Sequence, residues 1–135
     1  FRIGNARRTD IVEARTRVSA LIDEVTEEGE HIRRIHDLPL LRQETPFFRM
    51  TWSLYHVIDE NSPLKGLDLT ANTYLKAIVV TITGHDEAYS SKVHARHTYS
   101  PENIVKDKYF MDIMHENDMG QTVIDYEKFH QLKDE

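Results

Sequence analysis

An alternation of apolar and polar residues over positions 47–58 constrains the fold of this chain more than any other feature. The apolar members are Phe48, Met50, Trp52, Leu54 and Ile58, and their neighbours are mostly polar. A period of two is typical of a β-strand with one buried face. A second segment, 74–83 (YLKAIVVTIT), is β-branched and apolar almost throughout, which predicts a central strand covered on both faces. The chain is therefore expected to be rich in β-structure.

Turn signals divide the rest of the chain into further short elements. Gly84 is expected to end the strand over 74–83, and positions 93–99 (VHARHTY) predict the next strand. A later strand is predicted by the alternation of Thr122, Ile124 and Tyr126. Ser100-Pro101-Glu102 combines a helix N-cap with a proline and an acid in the first turn, so one short helical turn is expected there. The clusters 44–46 and 61–63 are interpreted as loops.

The segment 11–25 supports two interpretations. Alternate positions from Val12 to Ile22 are mostly apolar or small, as in a long strand, but Ile11, Ala14, Val18 and Val25 also mark one face of a helix. Intrinsic propensity favours the helix. The sequence 27–30 (EEGE) that follows is interpreted as a turn.

Composition narrows the class of protein. The 135 residues suit one domain over 1–135, and they include no cysteine, which excludes disulfides, thiolate metal sites and a cysteine nucleophile. The net charge of −6 has the wrong sign for a nucleic-acid partner. No apolar run approaches the roughly 20 residues of a membrane helix. Because the chain opens on Phe1, it is expected to be a piece of a longer protein.

Candidate chemical sites are few. His94 and His97 lie three apart, which would place them on opposite faces of a strand, and no nucleophile signature or glycine-rich phosphate loop is present. Asp59 and Glu60 form a possible carboxylate pair, but no nucleophile signature or phosphate loop accompanies them. No enzyme is therefore predicted. One alternative is a free-standing β-sandwich or cupin-like protein that binds a small molecule or a metal through His94, His97, His85 and Glu87. The arginine doublets at 7–8 and 33–34 are interpreted as solvated surface.

Five motifs in order resemble the cytoplasmic domain of inward-rectifier potassium channels, particularly the bacterial branch. They are FRIGN at 1–5 with IVEA at 11–14, TEEGE at 26–30, HVIDENSPL at 56–64, VHARHTY at 93–99 and DYEKFH at 125–130. Together these motifs cover nearly the whole chain.

The resemblance implies an all-β, immunoglobulin-like β-sandwich with one short helical turn, in which 11–25 is a strand. It also implies a homotetramer below a transmembrane pore domain of the same channel, at the cytoplasmic face of the bacterial inner membrane. The domain would extend the potassium pathway and couple ligand or lipid signals to the gate of a channel of the voltage-gated class. No cofactor is implied. Potassium would be the permeant ion, magnesium or a polyamine could block, and anionic lipid would bind through residues outside this chain.

The resemblance also implies site residues. The loop that narrows the cytoplasmic pore comprises Gly84, His85, Asp86, Glu87, Ala88, Tyr89 and Ser90. Arg96 would support this loop through Glu87, and Glu28 and Glu87 would bind cations in the vestibule. The gating or interface loop comprises His56, Asp59, Glu60, Ser62 and Pro63. Thr83 departs from the family, because many eukaryotic members place a glutamate at this position.

Overall fold

The longest element is a 15-residue strand, β2 (Ile11–Val25), in a computed structural model that describes residues 1–69 and 73–134. One face of β2 is buried through Ala14, Thr16, Val18, Ala20 and Ile22. The strand implied by the resemblance is therefore confirmed, and the helix favoured by propensity is wrong. The alternating pattern prevails because it buries one whole face of the strand, which outweighs small differences in propensity.

Strand β2 organises a five-stranded antiparallel sheet. Along the sheet the order is β3 (His31–Asp37), β2, β6 (Leu75–Asp86) and β7 (Ser91–Tyr99). The fifth strand, β4 (Glu44–Phe48), pairs with the first part of β2, on the edge whose second part pairs with β3. The predicted central strand is confirmed as β6, and the strand predicted over 93–99 is confirmed as β7.

The single strand predicted over 47–58 is wrong, because the chain changes partner near Met50. Strand β4 pairs with β2, whereas β5 (Thr51–Ser53) pairs with β1 (Arg2–Gly4) in a separate two-stranded sheet. Asn5 holds this crossing, since its side-chain amide donates to the carbonyl of Phe48 at 2.9 Å and its main-chain amide donates to that of Met50 at 2.8 Å. The predicted burial holds for Phe48, Trp52 and Leu54, but Ile58 is exposed.

The loop predicted at 44–46 is also wrong, since these residues belong to β4. Pro46 has no amide hydrogen to give to a sheet. It is tolerated because, among the described strands, β4 pairs with β2 alone and is an edge strand, so an unpaired position is available.

The core of this region joins the inner face of the five-stranded sheet to the small β1–β5 sheet. Its buried members are Ile11, Ala14, Val18, Ala20, Ile22, Leu38, Phe48, Trp52, Leu54, Leu64, Leu75, Ile78 and Val80. Ile3 of β1 packs against this cluster, as do Phe1 and Tyr99.

A β-bulge interrupts the alternation of β2 at Glu13. The pairing of β2 with β6 shifts between Val12 and Arg15, whereas the pairing with β4 keeps its register, and Glu13 has a φ of 50°. Bulges of this kind bend a strand and redirect side chains. The shift explains why Ile11 and Ala14, which are three positions apart, are both buried.

The chain divides into two compact units, Phe1–Ile104 and Val105–Glu135. The first ends in the short helical turn that was predicted, a 3₁₀ helix over Pro101–Asn103, where the Asn103 side chain accepts from the Ser100 amide at 3.0 Å. The prediction of one domain over 1–135 stays a prediction.

The described part of the second unit, 105–134, contains four short strands. β8 (Lys108–Phe110) pairs with β11 (Leu132–Asp134), and β9 (Met114–Glu116) pairs with β10 (Thr122–Ile124). The strand predicted through Tyr126 ends at Ile124, because Asp125 caps a second 3₁₀ helix, Tyr126–Lys128, by accepting from the Glu127 amide at 3.2 Å.

The all-β prediction is confirmed, and the arrangement fits a β-sandwich. The immunoglobulin-like label stays a prediction. Among the described residues, no helix has the length and apolar character needed to cross a membrane.

Candidate functional site

The loop predicted at 84–90 is shorter in the structure, because β6 continues through Asp86. Gly84, His85 and Asp86 all pair with β7, and the last pair is Asp86 with Ser91. The prediction that Gly84 ends the strand is therefore wrong. The connection between the two strands is the four-residue turn 87–90, which we call the β6–β7 turn.

Gly84 is needed for close packing rather than for ending the strand. A Cβ at this position would lie 2.5 Å from Ile11 Cγ2 and 3.2 Å from the carbonyl oxygen of Val12. A Cβ contact of 2.5 Å does not occur in real structures and one of 3.2 Å is unusually tight, so a glycine lets β6 approach the bulged part of β2. The glycine thereby lets β6 stay paired with β2 beyond the bulge, through Asp86 and Ile11.

Asp86 anchors the turn through a buried carboxylate. Its Oδ2 accepts from Arg7 Nε at 2.8 Å and from Thr9 Oγ1 at 2.6 Å. Its Oδ1 accepts from the main-chain amides of Ala88 at 2.9 Å and Tyr89 at 3.1 Å. The Asp86 side chain is 0% exposed, so the charge is compensated by these four donors in place of water.

The same donors hold the Asp86 pKa below its ordinary value. The hydrogen bond from Thr9 is the largest cause, and the Tyr89 amide, Arg7 and the Ala88 amide add to it, while desolvation opposes them. Asp86 is thus a permanently ionised acceptor at neutral pH.

A second set of contacts joins the turn to the chain before β2. The Glu87 amide donates to the Asp10 carbonyl at 3.0 Å, and Arg49 Nη2 lies 3.0 Å from Asp10 Oδ2. The Asp10 hydrogen bond is the main reason why the Arg49 pKa is raised, and the nearby Glu87 charge contributes to the rise. The Glu87 carboxylate is therefore close enough to the Arg49 guanidinium for the two charges to attract each other.

Arg96 lies on β7 opposite Thr81 and is exposed. Within the described chain it shares no hydrogen bond or ion pair with Glu87. The arginine that contacts this end of β6 is instead Arg7, while Arg49 holds the adjacent Asp10. The role of Arg96 in supporting the loop stays a prediction.

Glu28 and Glu87, the two predicted vestibule acids, lie at opposite ends of β2. Glu28 is exposed in the β2–β3 turn, which Thr26 stabilises by accepting from the Glu30 amide at 3.0 Å, and Gly29 supplies a φ of 87°. Glu87 follows Asp86, which pairs with Ile11 at the other end. Fourteen strand steps separate Ile11 from Val25, or about 45 Å. One chain therefore cannot bring both acids to one cation.

The predicted gating or interface loop is a structured turn with one buried hydroxyl. His56 contacts Ser62 with one ring nitrogen and the Pro39 carbonyl with the other, at 2.7 Å in both cases. Asp59 Oδ1 accepts from the Asn61 amide at 2.9 Å, whereas Glu60 is exposed and lies 3.4 Å from Lys65. Pro63 is half-buried. His56 and Ser62 thus brace a turn from which Asp59 and Glu60 face solvent.

Sequence reasoning missed the residues that hold the β6–β7 turn from the N-terminal side. Arg7 was assigned to solvated surface, and Thr9, Asp10 and Arg49 were not singled out. The available signal was an Asp directly after Gly-His at the end of an apolar strand. An Asp that is buried at such a position needs a cationic partner.

Glu13 was missed as well, and it lines an open cavity of about 220 Å³ beside the bulge. The other charged or titratable groups in the lining are Arg15, Glu44, His85 and Lys92. Arg15 and Glu44 form an ion pair at 2.6 Å, so their charges compensate each other.

The alternative metal site is not assembled. His94 pairs with Thr83 and His97 with Val80, so the two imidazoles leave opposite faces of β7 as the spacing predicts. In residues 1–69 and 73–134, no three His, Asp or Glu side chains are grouped to hold a metal ion.

Comparison with known proteins assigns the family. Residues 1–134 match the inward rectifier potassium channel C-terminal domain. The inward rectifier potassium channel Kirbac3.1 of Paramagnetospirillum magnetotacticum is 36% identical over 133 residues, which cover 98% of this chain and 45% of that protein. The ATP-sensitive inward rectifier potassium channel 10 of Rattus norvegicus is 29% identical, over 98% of this chain and 36% of its own length.

The chain belongs to the inward rectifier potassium channel C-terminal domain family. It spans less than half the length of the relatives it matches. Those relatives are named as ion channels and not as enzymes. The term voltage-gated, by contrast, gains no support from the family description or from these names.

Proposed function

We propose that this chain is the cytoplasmic gating and ion-vestibule domain of a tetrameric, prokaryotic inward-rectifier potassium channel. The observation that carries the proposal is the family match over residues 1–134, together with the 36% identity to a prokaryotic member. The partner would be a transmembrane pore domain of the same channel, and the location would be the cytoplasmic face of the bacterial inner membrane. The role is non-enzymatic.

The β6–β7 turn supports the proposed narrowing of the pore. A constriction needs a segment whose position is fixed, and this turn is held by a buried carboxylate and by a main-chain bond to Asp10. The exposed residues of the turn, including Glu87 and Tyr89, remain available to face an ion pathway in an assembly of four copies.

Glu28 and Glu87 are the proposed sites for a blocking cation such as magnesium or spermine. Four-fold assembly would bring equivalent acids of a chain with net charge −6 toward one another, and a bound cation would relieve their repulsion. Because the two acids lie at opposite ends of β2, they would form two separate rings. Their contributions to cation binding should therefore be additive.

Potassium flux into vesicles tests the function. The full-length protein that carries this chain, reconstituted in vesicles of anionic lipid, is expected to pass potassium in preference to sodium. Spermine on the side of this domain should reduce the flux. Absence of selective potassium flux, with the protein correctly inserted, would contradict the assignment as a channel domain.

Charge-neutralising variants test the vestibule residues separately from the channel assignment. Glu28→Gln and Glu87→Gln should each weaken block by spermine at low salt. Glu27→Gln is the matched control, because Glu27 is exposed in the same turn as Glu28 and carries the same charge. Equal block in all four proteins would remove Glu28 and Glu87 from the ion pathway while leaving the channel assignment intact.

A further inference from the structure

The Asp86 carboxylate divides its two oxygens between two separate segments of the chain. Oδ2 takes its donors from the segment before β2, namely Arg7 and Thr9, and Oδ1 takes its donors from the β6–β7 turn, namely the amides of Ala88 and Tyr89. We propose that Asp86 is a positioning residue that couples the segment Arg7–Asp10 to the conformation of the β6–β7 turn.

The geometry of the carboxylate makes the coupling stiff. Its two oxygens are parts of one planar group, so a displacement of the donors on Oδ2 moves Oδ1 relative to the turn amides. Because the Asp86 side chain is buried, water does not replace a donor that withdraws. If the Thr9 hydrogen bond is lost, either the Asp86 carboxylate moves toward its other donors or its charge stays poorly compensated.

A parallel link strengthens the connection. The Glu87 amide donates to the Asp10 carbonyl, so the same two segments are joined by a main-chain bond one residue beyond Asp86. Asp10 is itself held by Arg49, which lies 3.0 Å away and directly follows β4. The segment and the turn thus form one mechanical unit with three points of attachment.

The two ends of this unit differ in exposure. Arg7 is 45% exposed, whereas the carboxylate that it contacts is fully buried. A displacement of the segment at the surface can therefore reach the turn through a buried contact. The consequence for ion flow rests on the proposed function, since only a channel would convert movement of the turn into a change of conductance.

Hydrogen exchange resolved to single amides tests the coupling in the full-length protein. Thr9→Val removes one donor from Oδ2 and touches none of the bonds to Oδ1. We expect the exchange rates of the Ala88 and Tyr89 amides to rise by about fivefold, the effect of weakening one hydrogen bond. Unchanged rates at both amides would overturn the proposal.

Two further variants separate coupling from general loss of stability. Thr9→Ser keeps the hydroxyl donor and should exchange like the original protein at Ala88 and Tyr89. Thr26→Val removes a hydroxyl that accepts from the Glu30 amide in the β2–β3 turn, so it should raise exchange at Glu30 alone. A rise at Ala88 and Tyr89 in Thr26→Val as large as that in Thr9→Val would also overturn the proposal.

Flux measurements on the same variants distinguish this inference from the proposed function. In a potassium channel, Thr9→Val should change open probability at least twofold and Thr9→Ser should restore it. An exchange response without any potassium flux in the unmodified protein would refute the channel assignment and leave the coupling standing. Flux with no exchange response would refute the coupling alone.

Discussion

His56 Nε2 and Ser62 Oγ are 2.7 Å apart, so a histidine and a serine six positions apart are hydrogen bonded within one turn. The serine oxygen also accepts from the Leu64 amide at 3.1 Å. The Pro39 carbonyl can only accept, so the opposite nitrogen of the ring, Nδ1, carries a hydrogen. The His56 ring therefore joins the turn to the chain that precedes β4, and the Ser62 hydroxyl holds that ring in place.

Ser62→Ala should destabilise the protein by about 1–3 kcal/mol, because it leaves His56 Nε2 and the Leu64 amide without their partner. Urea unfolding at neutral pH measures the change. Ser53→Ala is the matched control, since Ser53 is exposed at the end of β5, and it should shift the free energy of unfolding by no more than about 0.5 kcal/mol. Equal effects of the two substitutions would contradict the bracing role of Ser62.

Gly84→Ala should cost about 1–3 kcal/mol of unfolding free energy, because the new methyl group would overlap Ile11 Cγ2. The double variant Gly84→Ala, Ile11→Ala should be less destabilised than the sum of the two single changes, since Ile11→Ala removes the overlapping atom. Simple additivity in a double-mutant cycle would show that the packing of β6 on β2 does not depend on this glycine.

Stability should fall in acid, and Asp86 should contribute to the fall. The pKa values of Asp23, Asp37 and Asp86 are all lowered, by hydrogen bonds chiefly from Arg33, Arg17 and Thr9 respectively. A lowered folded-state pKa gives stability that is present above the unfolded value near 3.8 and is lost as pH falls through the folded value. Unfolding free energy should therefore be level above about pH 5 and decline below about pH 4.

The variant Asp86→Asn isolates one carboxylate in this pH profile. It should be less stable than the original protein at pH 7 and should lose less stability between pH 5 and pH 3. Asp23 and Asp37 are partners of exposed arginines and should matter less, since surface pairs are screened by solvent. Parallel profiles for Asp86→Asn and the original protein would contradict the role of the Asp86 charge.

The acids of the 56–64 turn should differ in their structural role. Glu60→Ala should leave the unfolding free energy within about 0.5 kcal/mol, whereas Asp59→Ala should cost about 1 kcal/mol because Asp59 accepts from the Asn61 amide. Both substitutions should change open probability in the full-length channel if this turn transmits gating movements. Unchanged open probability with both acids removed would exclude that transmission.

The sequence predicted the strands whose alternation is long and uninterrupted. Strands β6 and β7 were expected, and β2 was resolved once the family motifs were weighed against helix propensity. The break between β4 and β5 was not predictable from alternation, because it depends on Asn5, more than 40 positions away, binding the carbonyls at 48 and 50. Local patterns do not contain a contact of that kind.

The candidate site was predicted in outline and not in its supporting contacts. The motif placed Asp86 in a loop, whereas the ladder with β7 extends past Gly84 to Asp86, and the glycine permits close packing of β6 on Ile11. Arg7 looked like one half of a solvated doublet. Its role depends on a long-range contact with a carboxylate 79 positions later, which no spacing rule connects.

Strand β2 is paired along both of its edges, and this limits where residues can be inserted into or deleted from the chain. One edge of β2 is shared by β3 and β4, the other pairs with β6 from Ile11 to Ile22, and the bulge at Glu13 is built into the pairing with β6. A single residue inserted or deleted between Arg15 and Val25 would turn every following side chain to the wrong face on both edges at once. We expect natural variation in length to accumulate in the hairpin tips and to spare the interior of β2.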